Sequence, residues 1–129
     1  MCTGRSLRYL QKLMQPAQLD LEKVSASNGS NLVTRLNGKL SLETVHNFIQ
    51  TLRPEPAAHL VLDMSGVSFL DSAGVGALVS LFVTRQHAGK KMALASLTKQ
   101  GLAVLQVSGL TKLIPAYATV EEAVSAENG

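Results

Sequence analysis

The chain is poor in the residues that form covalent or metal cross-links. Among its 129 residues it has one cysteine, Cys2, so no disulfide framework exists and a reducing compartment is expected. Three histidines (His46, His59 and His87) fall in different predicted elements without the spacing of metal ligands. A chain of this length can bury a core without cross-links. We therefore expect a single domain with no metal and no other cofactor.

Long apolar runs are also missing. No stretch approaches the roughly 20 apolar residues that a membrane span requires, and no apolar segment is followed by a small-residue cleavage site typical of a secretory signal. The sequence therefore predicts a soluble, cytoplasmic protein without a membrane span.

The net charge of +3 comes from one end of the chain. Residues 1–16 contain Arg5, Arg8 and Lys12 but no Asp or Glu, and the remainder is neutral. A neutral body with no Trp and few other aromatic residues lacks the basic patch and the stacking platforms of a nucleic-acid-binding protein. We do not expect binding to nucleic acid.

The basic segment has its own apolar pattern. Leu7, Leu10, Leu13 and Met14 recur at helical spacing between the basic residues, and Pro16 separates them from the first predicted strand. The pattern is compatible with a flexible extension, a partner contact or a surface-seeking amphipathic helix. We divide the chain into a flexible basic extension (1–16), a folded domain (17–125) and a frayed tail (126–129).

Hydrophobic periodicity predicts strands alternating with helices after an initial hairpin. Ser41 is expected to cap the first helix, and Thr119 and Glu122 to form the capping box of the last. The strands are predicted at 18–25, 31–37, 59–64, 91–95 and 114–117, and the helices at 41–53, 73–87, 98–107 and 119–124. The order β-β-α-β-α-β-α-β-α indicates an α/β fold with a mixed central sheet and packed helices.

Motifs for catalysis are absent from this pattern. Leu70 stands where a hydrolase elbow needs glycine, and Gly74 and Gly76 do not form a dinucleotide-binding turn. Asp63 and Asp71 flank one loop without the adjacent acidic pair of a phospho-aspartate site. Asp63 is more simply explained as bracing a turn through Ser65. We do not expect an enzyme.

The junction between the third strand and the second helix is the most informative segment. Residues 60–76 are predicted to form an apolar strand, a turn and the polar start of a helix at Asp71-Ser72-Ala73-Gly74. A phosphate on Ser72 would meet unpaired N–H groups and the positive end of the helix dipole. The alternative is that Asp71 or Ser72 merely caps the helix, a contribution of about 1 kcal/mol.

Several motifs in this order resemble the STAS domain of anti-sigma factor antagonists. The resemblance extends from Gln18 to Val124 in register with the predicted elements. It rests on Gly38-Lys-Leu40, Val61-Leu-Asp-Met-Ser-Gly-Val67, Phe69-Leu-Asp-Ser-Ala-Gly-Val-Gly76, Gly89-Lys-Lys91, Ser108-Gly-Leu110 and Thr119-Val-Glu-Glu-Ala123. It implies a single STAS-like domain.

The resemblance also implies a function. In that family the residue matching Ser72 is phosphorylated by an anti-sigma factor that is itself a serine kinase. The unphosphorylated protein binds the anti-sigma factor, which then releases a sigma factor, so transcription is regulated indirectly. The phosphorylated protein dissociates from the anti-sigma factor. Many relatives carry Asp where this chain has Ser41. Around Ser72 the candidate partner-binding residues are Asp71, Ala73, Gly74, Gly76, Asp63 and Ser41.

Two questions stay open at this point. Gly74 and Gly76 either expose backbone for the approach of a kinase or permit close packing against a strand. STAS domains also serve as unphosphorylated scaffolds in stress-signalling complexes and as subunits of lipid-transport ATPases, in which Ser72 would only cap the helix. The oligomeric state is open as well, a homodimer included.

Overall fold

The computed structural model describes residues 18–27 and 31–128. The predicted extension (1–16) and residues 28–30 of the connection predicted between the first two strands lie outside the described residues. The predicted order of strands and helices is confirmed. The elements are β1 (Leu19–Ser27), β2 (Asn31–Leu40), α1 (Val45–Leu52), β3 (His59–Leu70), α2 (Ser72–His87), β4 (Lys91–Ala95), α3 (Lys99–Val107), a 3-10 turn (Leu110–Lys112), β5 (Ala116–Tyr117) and α4 (Val120–Asn128).

The strands form one mixed sheet in the order β1-β2-β3-β4-β5. The predicted hairpin is confirmed, because β1 pairs with β2 in the antiparallel direction, and each later neighbouring pair is parallel. The carboxyl ends of β2 and β3 therefore lie side by side. The loop into α1 and the start of α2 emerge next to each other at that edge of the sheet.

The two faces of the sheet are covered unequally. Helices α1, α2 and α3 pack on one face through Phe48, Leu52, Leu78, Leu81 and Leu105, all of them buried. On the other face α4 packs through Ala123 against a smaller set of strand residues (Val33, Val61, Ala93 and Ala95). Burying one large apolar side chain contributes about 1.5–3 kcal/mol, so the three-helix face supplies most of the apolar stabilisation.

Strand β3 is longer than the sequence predicts. We expected it to end at Met64 and be followed by a turn, but it continues to Leu70, so the predicted turn is wrong. The pairing of β3 with β2 shifts twice in this stretch, as β-bulges do. At the first shift the Asp63 carboxylate accepts hydrogen bonds from the Ser65 N–H (3.0 Å) and hydroxyl (2.8 Å), which confirms the predicted contact. The bulges accommodate polar residues that resemble a turn in sequence.

The start of α1 also differs from the prediction. The helix begins at Val45, preceded by Thr44, so the prediction that Ser41 caps it is wrong. The carbonyl of Ser41 accepts hydrogen bonds from the N–H groups of Thr44 (2.9 Å) and Val45 (3.0 Å). The Thr44 hydroxyl accepts from the Ser41 N–H (3.0 Å) and donates to the Lys39 carbonyl (2.7 Å). A separate turn therefore joins β2 to α1 and holds Ser41 at the edge of the sheet.

The last helix begins as predicted and ends later. The Thr119 hydroxyl accepts a hydrogen bond from the Glu122 N–H (3.1 Å), as expected of the capping residue. We predicted an end at Val124, but α4 continues to Asn128.

A buried arginine that the sequence analysis did not identify fixes the far end of α2. Arg85 is only 2% exposed, and its guanidinium donates to the carbonyls of Glu55 (3.1 Å), Ala57 (2.6 Å) and Lys91 (3.1 Å). Burial lowers the pKa of Arg85, and the nearby Glu55 charge opposes that shift. Three accepting carbonyls satisfy the buried donors, which would otherwise be costly.

Candidate functional site

Ser72 lies where the carboxyl end of β3 passes into α2. It is the first residue of the helix, and its side chain is exposed. The first N–H groups of a helix have no carbonyl partner within the helix, and the helix dipole places partial positive charge there. The structure therefore exposes Ser72 at a helix end that favours an anion.

Asp71 caps this helix, as the sequence predicts, and links it to a second segment. One carboxylate oxygen accepts from the Gly74 N–H (2.8 Å), and the other accepts from the Leu42 N–H (3.2 Å). The Asp71 N–H donates to the Leu40 carbonyl (3.3 Å). Because both oxygens already accept hydrogen bonds, Asp71 holds the loop after β2 against the start of α2.

The two glycines beside the serine have different surroundings. Gly74 is buried, and a Cβ atom there would overlap the Leu40 carbonyl oxygen and approach Leu70 Cδ1 to 2.9 Å. Gly76 is exposed, and a Cβ atom there would meet no atom within 4 Å. Close packing against a strand therefore explains Gly74, whereas Gly76 leaves the surface of the helix open. Ala73 lies between them and is half-buried.

A shallow groove lies beside Asp71. Its volume is about 250 Å³, and its lining residues are Lys39, Ser41, Leu42, Glu43, Phe69 and Asp71. Two of them are exposed apolar side chains, since Leu42 is 74% exposed and Phe69 is 43% exposed. Ser41 is thus brought to the same surface as Asp71. We call this groove together with Ser72 the Ser72 surface.

Sequence reasoning missed Leu42 and Phe69, although a signal was available. Phe69 alternates with the buried Leu70 on an extended strand, so its side chain must face away from the core. The predicted first helix (41–53) includes Leu42, but in the structure Leu42 precedes that helix. Leu42 and Phe69 thus place two exposed apolar side chains at one groove.

Asp63 is not brought to the Ser72 surface. It lies on the face of the sheet that α4 covers, where its carboxylate accepts from Arg35 Nε at 3.4 Å. Burial alone would raise the pKa of Asp63, but hydrogen bonds from Ser65 and Arg35 outweigh burial and lower it. Asp63 therefore remains an ionised carboxylate in the sheet.

The side chains of residues 18–27 and 31–128 offer no cluster of metal ligands. Within these ranges, histidine, cysteine and acidic side chains form no group of three that could hold a metal ion. Among the helices of the same ranges, none combines the length and apolar character needed to cross a bilayer.

The whole fold matches a known protein family. The model of the STAS domain family matches residues 22–123. The chain therefore belongs to the STAS domain family, and the predicted single α/β domain of this type is confirmed.

Individual relatives agree with this assignment. The chain is 27% identical over 90 residues to an anti-sigma F factor antagonist of Paenibacillus polymyxa, covering 67% of this chain and 77% of the relative. A crystal structure of an anti-sigma factor antagonist from Mycobacterium paratuberculosis superposes with a TM-score of 0.75 at 20% identity, covering 87% of this chain and 96% of that one. The unphosphorylated antagonist SpoIIAA superposes with a TM-score of 0.70 at 24% identity, covering 87% and 97%. SpoIIAA, a Bacillus cell fate determinant, is also known in a phosphorylated form, with a TM-score of 0.62 at 24% identity over 84% and 98% of the two chains.

Proposed function

We propose that this protein is an anti-sigma factor antagonist that binds its anti-sigma factor through the Ser72 surface. In this proposal the anti-sigma factor is a serine kinase that phosphorylates Ser72 and then dissociates from the phosphorylated protein. The proposed location of both proteins is the cytoplasm. The observation that carries the proposal is the exposed Ser72 hydroxyl at the first position of α2, directly after the capping Asp71. The names of the relatives support the partner, and the phosphorylated form of SpoIIAA supports the modification.

The apolar side chains of the Ser72 surface give the unphosphorylated protein its contact area. Leu42 and Phe69 are largely exposed and border one groove, so a partner side chain can bury both of them at once. Apolar anchors surrounded by polar groups usually dominate the energy of an interface. Lys39 and Glu43 supply the polar rim of this groove.

Phosphorylation would change the charge of this surface without rebuilding it. A phosphate adds about −1.5 to −2 charges at neutral pH next to the carboxylate of Asp71. The free N–H groups at the helix end can stabilise the phosphate in the isolated protein, while a partner packed over it meets repulsion, bulk and a desolvation cost. Shifting a balance from 1:99 to 99:1 needs about 5.5 kcal/mol of differential affinity, which a dianion within a tight interface can supply.

The first experiment identifies the modified residue. The protein is incubated with the candidate kinase and ATP, and the phosphate is located by mass spectrometry. We expect phosphorylation at Ser72 in the wild type and none in Ser72→Ala. Phosphate at another serine would contradict the proposal. Unmodified protein that co-purifies with a transporter ATPase would also contradict it, and would favour a role as an unphosphorylated subunit of that ATPase.

The second experiment measures affinity by calorimetry. Ser72→Ala should bind the anti-sigma factor in the presence of ATP as the unmodified protein does, and Ser72→Glu should bind poorly. Ser80 provides a matched control, because it is exposed on the same helix two turns away. Ser80→Glu should bind like the wild type. Equal affinities of Ser72→Ala and Ser72→Glu for the anti-sigma factor would contradict the proposal that charge at residue 72 controls binding.

A further inference from the structure

A second groove lies on the opposite face of the sheet, between α4 and the first two strands. Its volume is about 660 Å³. Val24 and Val33 form its wall on the strands, and Val120 and Val124 form its wall on the helix. Helix α4 makes its main contacts with β3, β4 and β5, so it leaves the β1–β2 side of this face open. Val24 is accordingly 44% exposed. We call this the α4 groove.

Carboxylates surround the α4 groove. Arg35 lines its floor, and Asp63 lies 3.4 Å from Arg35 Nε on the neighbouring strand. Glu22 is the pairing partner of Arg35 on β1, so the two side chains project from the same face of the sheet. Glu121 lines the groove from α4. Two of the groove-lining residues are acidic (Asp63 and Glu121) and one is basic (Arg35), and Glu22 adds a third carboxylate beside Arg35. The excess negative charge favours an occupant that is basic as well as apolar.

The chain itself contains a segment of that composition. Residues 5–14 carry three basic side chains and no acidic one, and they alternate with apolar residues at helical spacing. The basic residues are Arg5, Arg8 and Lys12, and the apolar ones are Leu7, Leu10, Leu13 and Met14. The charges and the apolar side chains thus complement those of the α4 groove.

The connection to β1 places this segment within reach. Gln18 immediately precedes β1, and Glu22 lies four residues further along the strand, a distance of about 13 Å. Residues 15–17 span up to about 10 Å when extended, and a ten-residue segment covers about 15 Å even as a helix. A short tether of this kind gives an effective concentration in the millimolar range, so a weak contact is enough.

We propose that residues 5–14 bind in the α4 groove of their own chain, with the basic side chains next to Glu22 and Glu121 and the apolar side chains against the valines. The contact covers the exposed half of the sheet face that α4 leaves open. The α4 groove and the Ser72 surface share no lining residue, so the contact leaves the residues of the Ser72 surface uncovered. The proposal does not depend on the function proposed for Ser72.

The test uses Cys2, the only cysteine of the chain. A nitroxide attached to Cys2 of the full-length protein broadens the amide NMR signals of nearby residues. We expect broadening at Val33, Val120 and Val124 and none at Val83 on the exposed side of α2. Reversing two charges of the segment (Arg8→Glu with Lys12→Glu) should reduce the broadening at the groove to the level at Val83.

Controls separate this contact from the alternatives. Lys99→Glu with Lys112→Glu reverses two exposed charges outside the groove and should leave the broadening unchanged. A mixed sample combines protein that carries the nitroxide but no ¹⁵N with ¹⁵N-enriched protein that carries no nitroxide. Broadening at the groove in this sample would show contact between copies and overturn the proposal. Broadening at Leu42 in place of Val124 would overturn it too. So would binding to anionic vesicles through residues 5–14 with no broadening at the groove.

Discussion

Replacing Gly74 with alanine tests whether close packing at the start of α2 positions the Ser72 surface. The new Cβ atom would overlap the Leu40 carbonyl oxygen and lie 2.9 Å from Leu70 Cδ1. The Leu40 carbonyl belongs to a strand and accepts a hydrogen bond from the Asp71 N–H at 3.3 Å, so it cannot yield as a flexible side chain does. Helix α2 must therefore move away from β2.

The expected cost is the balance of two opposing effects. Overpacking a rigid site costs about 1–3 kcal/mol, and contact with backbone places Gly74→Ala at the upper end of that range. Alanine regains up to about 1 kcal/mol of helix propensity over glycine. The free energy of unfolding should therefore fall by about 2 kcal/mol, which lowers the melting temperature by roughly 8 °C in a domain of this size.

Gly76 provides the matched control for this measurement. A Cβ atom there meets nothing within 4 Å, so Gly76→Ala should raise the free energy of unfolding by about 0.5–1 kcal/mol through helix propensity alone. Urea and thermal unfolding followed by circular dichroism measure both variants. If Gly74→Ala were as stable as Gly76→Ala, the packing argument would be wrong.

Three further predictions concern the carboxylates and the serine. Asp71→Ala should lose about 1–2 kcal/mol of stability in urea unfolding, whereas Asp71→Asn should lose less, because its one amide oxygen can still accept from the Gly74 N–H although not also from the Leu42 N–H; equal losses would contradict the capping role. Ser72→Glu should stay within about 1 kcal/mol of the wild type, because attraction to the helix end offsets repulsion from Asp71; a larger loss would mean that the switch acts by unfolding. Asp63→Asn should cost about 1–2 kcal/mol at pH 7. Because folding lowers the pKa of Asp63 from its ordinary value of 3.8, this difference should disappear as the pH falls below that value, and a pH-independent difference would refute the assignment.

The order of the elements could be predicted because each depends on local patterns. The continuous apolar run from His59 is typical of a strand buried on both faces, and the Asp-Ser pair before the long apolar segment 73–87 marks the start of a helix. The predicted bounds of the fourth strand (91–95) are those of the observed β4. Local patterns of apolar runs, caps and breakers therefore account for the number, the type and the order of the elements.

The errors lie where long-range pairing overrides local preference. Polar residues after Met64 favour a turn, but pairing with β2 keeps them in a strand and bulges absorb the mismatch. Ser41 is a good capping residue, but the side chain of Thr44 organises that turn instead. Arg85 can be buried because two carbonyls from a distant segment (Glu55 and Ala57) and the carbonyl of Lys91 converge on it, which no local pattern can reveal.

The candidate site was only partly predictable for the same reason. Asp71 and Ser72 could be placed at a helix start from sequence, since capping is local. Leu42 comes from a loop that joins the site through a hydrogen bond to Asp71 across 29 positions of the chain. The Asp63 carboxylate was predicted near Ser72 by its place in the motif, but the extension of β3 separates the two.

The geometry of Asp71 explains how a charge on Ser72 can act without a change of fold. Both oxygens of Asp71 already accept N–H groups, one from α2 and one from the loop carrying Leu42. This arrangement, together with the close packing of Gly74 against Leu40, fixes the Ser72 surface within the folded chain. Under the proposed function a partner would therefore meet a preorganised contact. A phosphate on Ser72 would then add charge to a rigid surface, and its cost would fall on the complex rather than on the folded chain.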